Sequence, residues 1–104
     1  MTVPRLHVTA HHDGARIRLA VSGELDVSTR DEFITAAVTN AHRGAALDLD
    51  LSEVSFCDTM GISALVAVGN IIRGDGGSVQ VTAASPTVTR ILGATDLVDA
   101  WRPV

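Results

Sequence analysis

The stretch that decides the fold begins as an apolar run and ends in the start of a helix. It comprises Ala46-Leu47-Asp48-Leu49-Asp50-Leu51, followed by Phe56-Cys57-Asp58-Thr59-Met60-Gly61-Ile62-Ser63-Ala64. Leucine alternates with aspartate in the first part, which is typical of a half-buried strand. A second apolar run, from Leu65 to Ile72, follows at once. We therefore predict a strand, a short loop and a helix whose first turn carries a hydroxyl beside a carboxylate.

The hydroxyl of Thr59 stands where backbone N–H groups have no helical partner and where the helix dipole is positive. One interpretation is that Thr59 simply caps the helix, since threonine is a common N-cap residue. The other is a switch, because an added anion is tolerated at that end of a helix. Asp58 has the chemistry of a general base, a Mg²⁺ ligand or a nucleophile. We favour a loop carboxylate that binds backbone N–H groups.

The segments before this stretch predict a hairpin and a first helix. Two alternating runs, residues 6–10 and 17–21, flank Asp13-Gly14, which is a strong signal for a tight turn. Gly23-Glu24-Leu25-Asp26 is expected to be a loop. Ser28-Thr29-Arg30-Asp31 resembles a capping box that starts a helix, and Gly44 is a plausible stop for it.

The segments after it predict a fourth strand at residues 79–83 and a third helix. Ser85-Pro86 starts that helix, with serine as the cap and proline in the first turn. Leu97, Val98 and Trp101 are expected to close the core. Strands and helices alternate after the hairpin, which indicates parallel pairing in a mixed sheet.

The alternation within the strands limits how the layers pack. A parallel sheet covered on both faces has continuous apolar strands, whereas these strands are polar at every second position. We therefore expect an α/β fold with a mixed sheet of four to five strands and helices mainly on one face. On the other face, Arg16 and Arg18 are expected to pair with Asp48 and Asp50.

Composition limits the classes of function. A chain of 104 residues is expected to form one domain, residues 1–104. Its net charge of −4 gives no basic surface for nucleic acid. A single cysteine, Cys57, allows no internal disulfide, which fits a cytoplasmic location. The sequence shows no signal peptide or membrane span, no metal-ligand spacing among its histidines, and no catalytic signature, so we expect neither an enzyme nor a bound cofactor.

The helix from about Met60 to Ile72 has two unlike sides. One side carries an apolar stripe of Ile62, Leu65, Val66, Gly69 and Ile72. The other carries Ser63, Ala64, Ala67, Asn70 and Ile71. This second side is small and weakly polar, unlike an ordinary solvated face. Together with Met60 it suits a docking surface for a partner. Deeper burial within the domain, or a homodimer, explains it equally well.

The sequence resembles a known family, the STAS domains, and specifically the bacterial anti-sigma-factor antagonists. The resemblance covers about residues 6–104. It rests on four segments in a specific order: Gly23-Glu24-Leu25-Asp26, Leu49 to Phe56, Asp58-Thr59-Met60-Gly61-Ile62, and Ser85-Pro86 to Leu92.

This resemblance implies a partner-switching regulator. The partner would be an anti-sigma factor with a histidine-kinase-like ATPase fold, which phosphorylates the antagonist; a serine/threonine phosphatase would reverse the reaction. ATP and Mg²⁺ would belong to the kinase. Thr59 would accept the phosphate, and Asp26 and Asp58 would lie beside it. Together with Met60, Gly61 and Ser63, they would form the partner-binding site.

The segment from Asp58 to Ile62 differs from the commonest pattern of the antagonists, and it also fits another group of STAS proteins. The usual pattern is Asp-Ser-Ser-Gly-Leu. In this chain Thr59 replaces the first serine, Met60 the second serine and Ile62 the leucine. The Asp-Thr-x-Gly pattern also resembles small cytoplasmic STAS subunits of phospholipid-trafficking ABC transporters. In those proteins the threonine would help docking onto an ATPase subunit without being phosphorylated.

Overall fold

The computed structural model describes residues 5–93. Its elements in this part of the chain are β1 (Leu6–Asp13), β2 (Arg16–Leu25), α1 (Arg30–Asn40), β3 (Ala46–Cys57), α2 (Thr59–Gly74), β4 (Ser78–Ala84) and α3 (Pro86–Gly93). The sheet has the order β1-β2-β3-β4. β1 runs antiparallel to β2, whereas β2, β3 and β4 are parallel. The predicted α/β class with a mixed sheet is confirmed.

The predicted hairpin joins β1 to β2. Asp13 and Arg16 are the last paired residues, so Gly14 and Ala15 form a two-residue turn. Gly14 has a φ of 63°, a backbone conformation that glycine adopts without a steric cost. The Asp-Gly signal in the sequence therefore identified this turn correctly.

One face of the sheet forms the core and the other is polar, as the alternation predicted. Fully buried apolar side chains on the core face include Ile17, Leu19, Leu47, Leu49, Leu51 and Val81. On the polar face, Arg16 donates to Asp48 at 2.7 Å and Arg18 donates to Asp50 at 2.8 Å. These two pairs join neighbouring parallel strands on the solvent side, so both predicted ion pairs are confirmed.

The expected capping box at the start of α1 is wrong. The N-cap residue is Thr29, and its side chain makes no capping hydrogen bond to the helix. The Ser28 hydroxyl instead donates to Asp26 at 2.8 Å. The loop starts later than expected, because β2 continues through Leu25. The helix ends at Asn40, four residues before Gly44, so that glycine lies in the following loop.

The decisive stretch also differs in detail from the prediction. β3 continues to Cys57, so only Asp58 separates it from α2. The two sides of α2 were also partly misassigned: Ala64 is fully buried with Leu65 and Val68, whereas Val66 is half-buried. Helical spacing alone did not reveal that α2 packs against both the sheet and α1, which widens its buried stripe.

The start of α3 matches the prediction. Pro86 is its first residue, and the Ser85 hydroxyl accepts the N–H of Val88 at 3.3 Å. Leu97, Val98 and Trp101, which were expected to close the core, lie outside the described residues. Within residues 5–93, no helix is long and apolar enough to cross a membrane.

Candidate functional site

Asp58 forms the N-terminal end of α2 and leaves Thr59 free. Its Oδ1 accepts the N–H groups of Met60 and Gly61, each at 3.0 Å. Asp58 is therefore the N-cap, and Thr59 is the first residue within the helix. The interpretation of Thr59 as the cap is wrong, and the prediction that Asp58 binds backbone N–H groups is confirmed. The exposed Thr59 hydroxyl has no hydrogen bond to any residue from 5 to 93.

Gly61 lets the start of α2 lie directly against the end of β2. A Cβ at this position would stand 2.3 Å from the carbonyl oxygen of Leu25 and 2.9 Å from the sulfur of Cys57. The N–H of Asp58 also donates to that Leu25 carbonyl, at 3.4 Å. Glycine is thus needed here for close approach, and it brings the loop after β2 to the first turn of α2.

Asp26 and Asp58 occupy equivalent places on neighbouring strands. Leu25 and Cys57, which immediately precede them, are paired in the parallel ladder between β2 and β3. The two carboxylates therefore follow β2 and β3 at the same edge of the sheet. The tight approach of Gly61 to Leu25 holds these two loops together.

The Asp26 carboxylate is directed into its own loop. It is only 8% exposed, and its Oδ1 accepts the N–H of Ser28 at 2.9 Å and that of Thr29 at 3.3 Å. Its Oδ2 pairs with the guanidinium of Arg5. The hydrogen bond from the Ser28 hydroxyl, with further help from Arg5, holds the pKa of Asp26 below its usual range. Asp26 thus stabilises the loop that presents Val27.

Ser63 and Arg30 connect the two helices beside Thr59. Ser63 Oγ donates to the carbonyl of Met60 at 3.1 Å and accepts from Arg30 Nε at 3.3 Å. Arg30 is the first residue of α1. Sequence reasoning treated it only as part of a capping box and missed it as a site residue. Its role depends on α1 packing on α2, and no local motif signals that contact.

Three large apolar side chains are exposed around Thr59. Val27 is 67% exposed in the loop before α1, Phe56 is 45% exposed near the end of β3, and Met60 is 40% exposed in the first turn of α2. We call these residues, together with Arg30, Thr59 and Ser63, the Thr59 surface. Exposed apolar side chains next to hydrogen-bonding groups are typical of a protein-docking surface.

A shallow groove of about 520 Å³ continues this surface toward α3. It is lined by Ser55, Phe56, Cys57, Thr87, Arg90 and Ile91. Burial, together with the nearby Asp58 carboxylate, raises the pKa of the Cys57 thiol to about 11, which keeps the thiol protonated. Within residues 5–93, no cluster of histidine, cysteine, aspartate or glutamate side chains is placed to hold a metal ion.

Comparison with known proteins gives one family and several relatives. The sequence family described as "Mlab, STAS domain" matches residues 8–99. The anti-sigma-B factor antagonist of Bacillus subtilis is 29% identical over 83 residues, which is 80% of this chain and 76% of that protein.

Two solved structures are similar in fold. An anti-sigma factor antagonist from Mycobacterium paratuberculosis superposes with a TM-score of 0.82 at 24% identity, covering 99% of this chain and 89% of that one. The anti-sigma factor antagonist SpoIIAA in its unphosphorylated form gives a TM-score of 0.69 at 17% identity, covering 94% and 88% of the two chains. The match of this family across residues 8–99 shows that the chain belongs to the STAS domain family.

Proposed function

We propose that this protein is an anti-sigma-factor antagonist whose binding is switched off by phosphorylation of Thr59. The observation that carries the proposal is the division of roles at the start of α2. Asp58 makes the capping bonds, and the exposed Thr59 hydroxyl makes no hydrogen bond to the part of the chain that the structure describes. A hydroxyl that does not hold the helix can be modified without loss of the cap. The similarity to the Bacillus subtilis antagonist supports the choice of partner.

The partner in this proposal is an anti-sigma factor with a histidine-kinase-like ATPase fold, and it acts as the kinase. Thr59 Oγ1 forms a bond to the γ-phosphorus of ATP, and the bond from that phosphorus to the β,γ-bridging oxygen breaks. ADP leaves with the electron pair of that bond, and the hydroxyl proton passes to a base of the kinase. This chain is thus a substrate and a binding module, and the catalytic groups belong to its cytoplasmic partner.

Phosphorylation would weaken the complex and leave the fold almost unchanged. The phosphate adds about −1.5 to −2 charges at neutral pH. At the N-terminus of α2 the dipole favours a negative charge, so the fold tolerates it. Buried in an interface beside Val27 and Met60, the same charge would lose its hydration, which is costly. A serine/threonine phosphatase would then restore the binding form.

Thr59 also fits a second candidate, a STAS subunit of a phospholipid-trafficking ABC transporter. In that role the free hydroxyl of Thr59 would donate or accept a hydrogen bond at the ATPase subunit and would not be phosphorylated. The Asp58-Thr59-Met60-Gly61 segment favours this candidate, because it fits the Asp-Thr-x-Gly pattern of such subunits.

One experiment separates the two candidates. The protein is incubated with ATP, Mg²⁺ and each anti-sigma kinase of its host, and mass spectrometry locates the phosphate. We expect modification at Thr59, its loss in Thr59→Ala, and no loss in Thr35→Ala, which changes an exposed threonine of α1. Stable binding to a transporter ATPase, with no modification by any of the kinases, would favour the second candidate.

Binding measurements test the charge-based switch itself. Thr59→Glu and Thr59→Gln have nearly the same shape and differ in one negative charge. We expect the glutamate variant to bind the anti-sigma factor more weakly than the glutamine variant in titration calorimetry. Equal affinities would contradict the switch by charge.

A further inference from the structure

The Arg30 guanidinium lies between α1 and α2 and is only weakly bound there. Its Nε donates to Ser63 Oγ at 3.3 Å, which is long for such a bond. Its Nη1 donates to Asp31 at 3.2 Å, but that carboxylate is 91% exposed and is screened by water. Nη2 makes no hydrogen bond to any residue from 5 to 93. The Arg30 side chain thus has hydrogen-bond donors that these contacts do not use.

The position of Arg30 is not explained by the stability of α1. Arg30 is the first residue of that helix, where the dipole is positive and a cation is unfavourable. Asp31 and Glu32 in the same turn offset part of this cost. An arginine at this end therefore does not stabilise its own helix. Its contact with α2 is the one that gives it a role.

Arg30 contacts the residue of α2 that lies one helical turn after Thr59. Ser63, the residue it contacts, follows Thr59 by four positions in α2, so their side chains lie on one face with Cβ atoms about 5–6 Å apart. A guanidinium held at Ser63 Oγ reaches a group on Thr59 by rotation about its own side-chain bonds. The exposed Thr59 leaves room for that group.

We infer that Arg30 is the intramolecular partner of the phosphate on Thr59. This inference rests on the proposed phosphorylation and adds a second effect to it. A phosphothreonine offers three oxygens, and a guanidinium binds two of them in parallel. Arg30 leaves Ser63 Oγ and the exposed Asp31 to make those bonds. Phosphorylation thus adds negative charge to the Thr59 surface and also takes its one guanidinium away from the docking partner.

The test uses the full chain with phosphothreonine installed at position 59 by ligation or genetic encoding, so that no kinase is needed. Phosphorus NMR then follows the second ionisation of the phosphate, which lies near pH 6 without perturbation. Asp58 on the same segment and Asp31 on α1 raise that pKa, whereas Arg30 lowers it. We expect a pKa higher by about 1 unit in Arg30→Gln than in the wild type.

Two further variants distinguish pairing from a general effect of charge. Arg43→Gln removes the same charge from beyond the other end of α1, a helix of 11 residues that is about 16 Å long. It is expected to titrate like the wild type. Arg30→Lys keeps the charge but not the parallel bonds, and it is expected to titrate between the wild type and Arg30→Gln. Unphosphorylated Arg30→Gln is checked for the wild-type circular dichroism spectrum.

Equal titration of the wild type and Arg30→Gln, or equal shifts in Arg30→Gln and Arg43→Gln, would overturn the pairing. Either result would leave phosphorylation of Thr59 possible. Conversely, failure of every kinase to modify Thr59 would overturn the proposed function. The pKa of the installed phosphothreonine would still show whether Arg30 pairs with it. The two failures are therefore distinguishable.

Discussion

The Asp58 carboxylate accepts the backbone N–H of Gly61 at 3.0 Å, and this hydrogen bond holds the first turn of α2. The same oxygen accepts the N–H of Met60. The helix start is therefore stabilised by residue 58, and the hydroxyl of residue 59 makes no hydrogen bond within the described residues, 5–93. The carboxylate therefore holds the helix start, and the neighbouring hydroxyl takes no part in the cap.

Loss of the cap provides the first prediction. Asp58→Ala removes both hydrogen bonds and is expected to lower the free energy of unfolding by about 1 kcal/mol, within a range of roughly 0.5–2. Asp58→Asn keeps an accepting oxygen in the same place and is expected to cost less. Urea unfolding followed by circular dichroism measures both. An alanine variant as stable as the wild type would show that the cap is not required.

The close approach at Gly61 provides the second. Gly61→Ala places a Cβ 2.3 Å from the Leu25 carbonyl oxygen, so α2 must move away from β2. We expect a loss of about 1–3 kcal/mol, as for other overpacked sites. Gly74→Ala is the matched control at the other end of α2, where nothing lies within 4 Å. It is expected to be neutral or stabilising by up to about 1 kcal/mol. Thermal unfolding measures the stability of both variants. Equal stabilities would show that α2 does not need glycine at position 61.

Acid stability should depend on Asp26. Its pKa in the folded protein is below the ordinary value of 3.8, because Ser28 and Arg5 bind the ionised form. Its contribution is therefore fully present above pH 3.8 and is lost as the pH falls through the lower folded value. Asp26→Asn should be less stable than the wild type at pH 6, and the difference should shrink below pH 3.8. A difference that stays constant from pH 6 to pH 2 in denaturant titrations would contradict the pairing.

The reactivity of Cys57 provides the fourth prediction. Burial raises its pKa from 9.0 to about 11, so iodoacetamide should alkylate the folded protein with a midpoint near pH 11. The unfolded protein should have a midpoint near 9. Because the folded pKa is the higher one, the contribution to stability is complete below pH 9 and is lost as the pH rises to about 11. Cys57→Ala should remove this alkaline loss. A native alkylation midpoint near 9 would show that the thiol is solvated.

Much of the fold could be predicted because the signals are local. Alternation in β2 and the first half of β3 identified both strands and their buried faces, and Asp13-Gly14 identified the hairpin. Ser85-Pro86 marked the start of α3. Each of these depends on side-chain periodicity or on backbone preferences within a few residues.

The errors occurred where two chemically similar residues compete for one role. Ser28 and Thr29 both suit an N-cap, but the Asp26 carboxylate takes the Ser28 hydroxyl, and Thr29 donates to the Glu24 carbonyl at 2.8 Å. Likewise, both Asp58 and Thr59 suit the cap of α2. Which residue takes the role depends on where the preceding strand ends, and strand ends are set by pairing with a distant segment.

The candidate site was likewise predicted in part. The sequence alone predicted a site in the segment from Asp58 to Ser63, since a hydroxyl beside a carboxylate at a helix start can be read from a few consecutive residues. Only the tertiary structure decided that Asp26 is directed into its own loop, that Gly61 lies against Leu25, and that Arg30 reaches Ser63 from another helix. The last two contacts join residues 33 or more positions apart, and their geometry follows from the packing of α1 on α2 and from the register of β2 on β3.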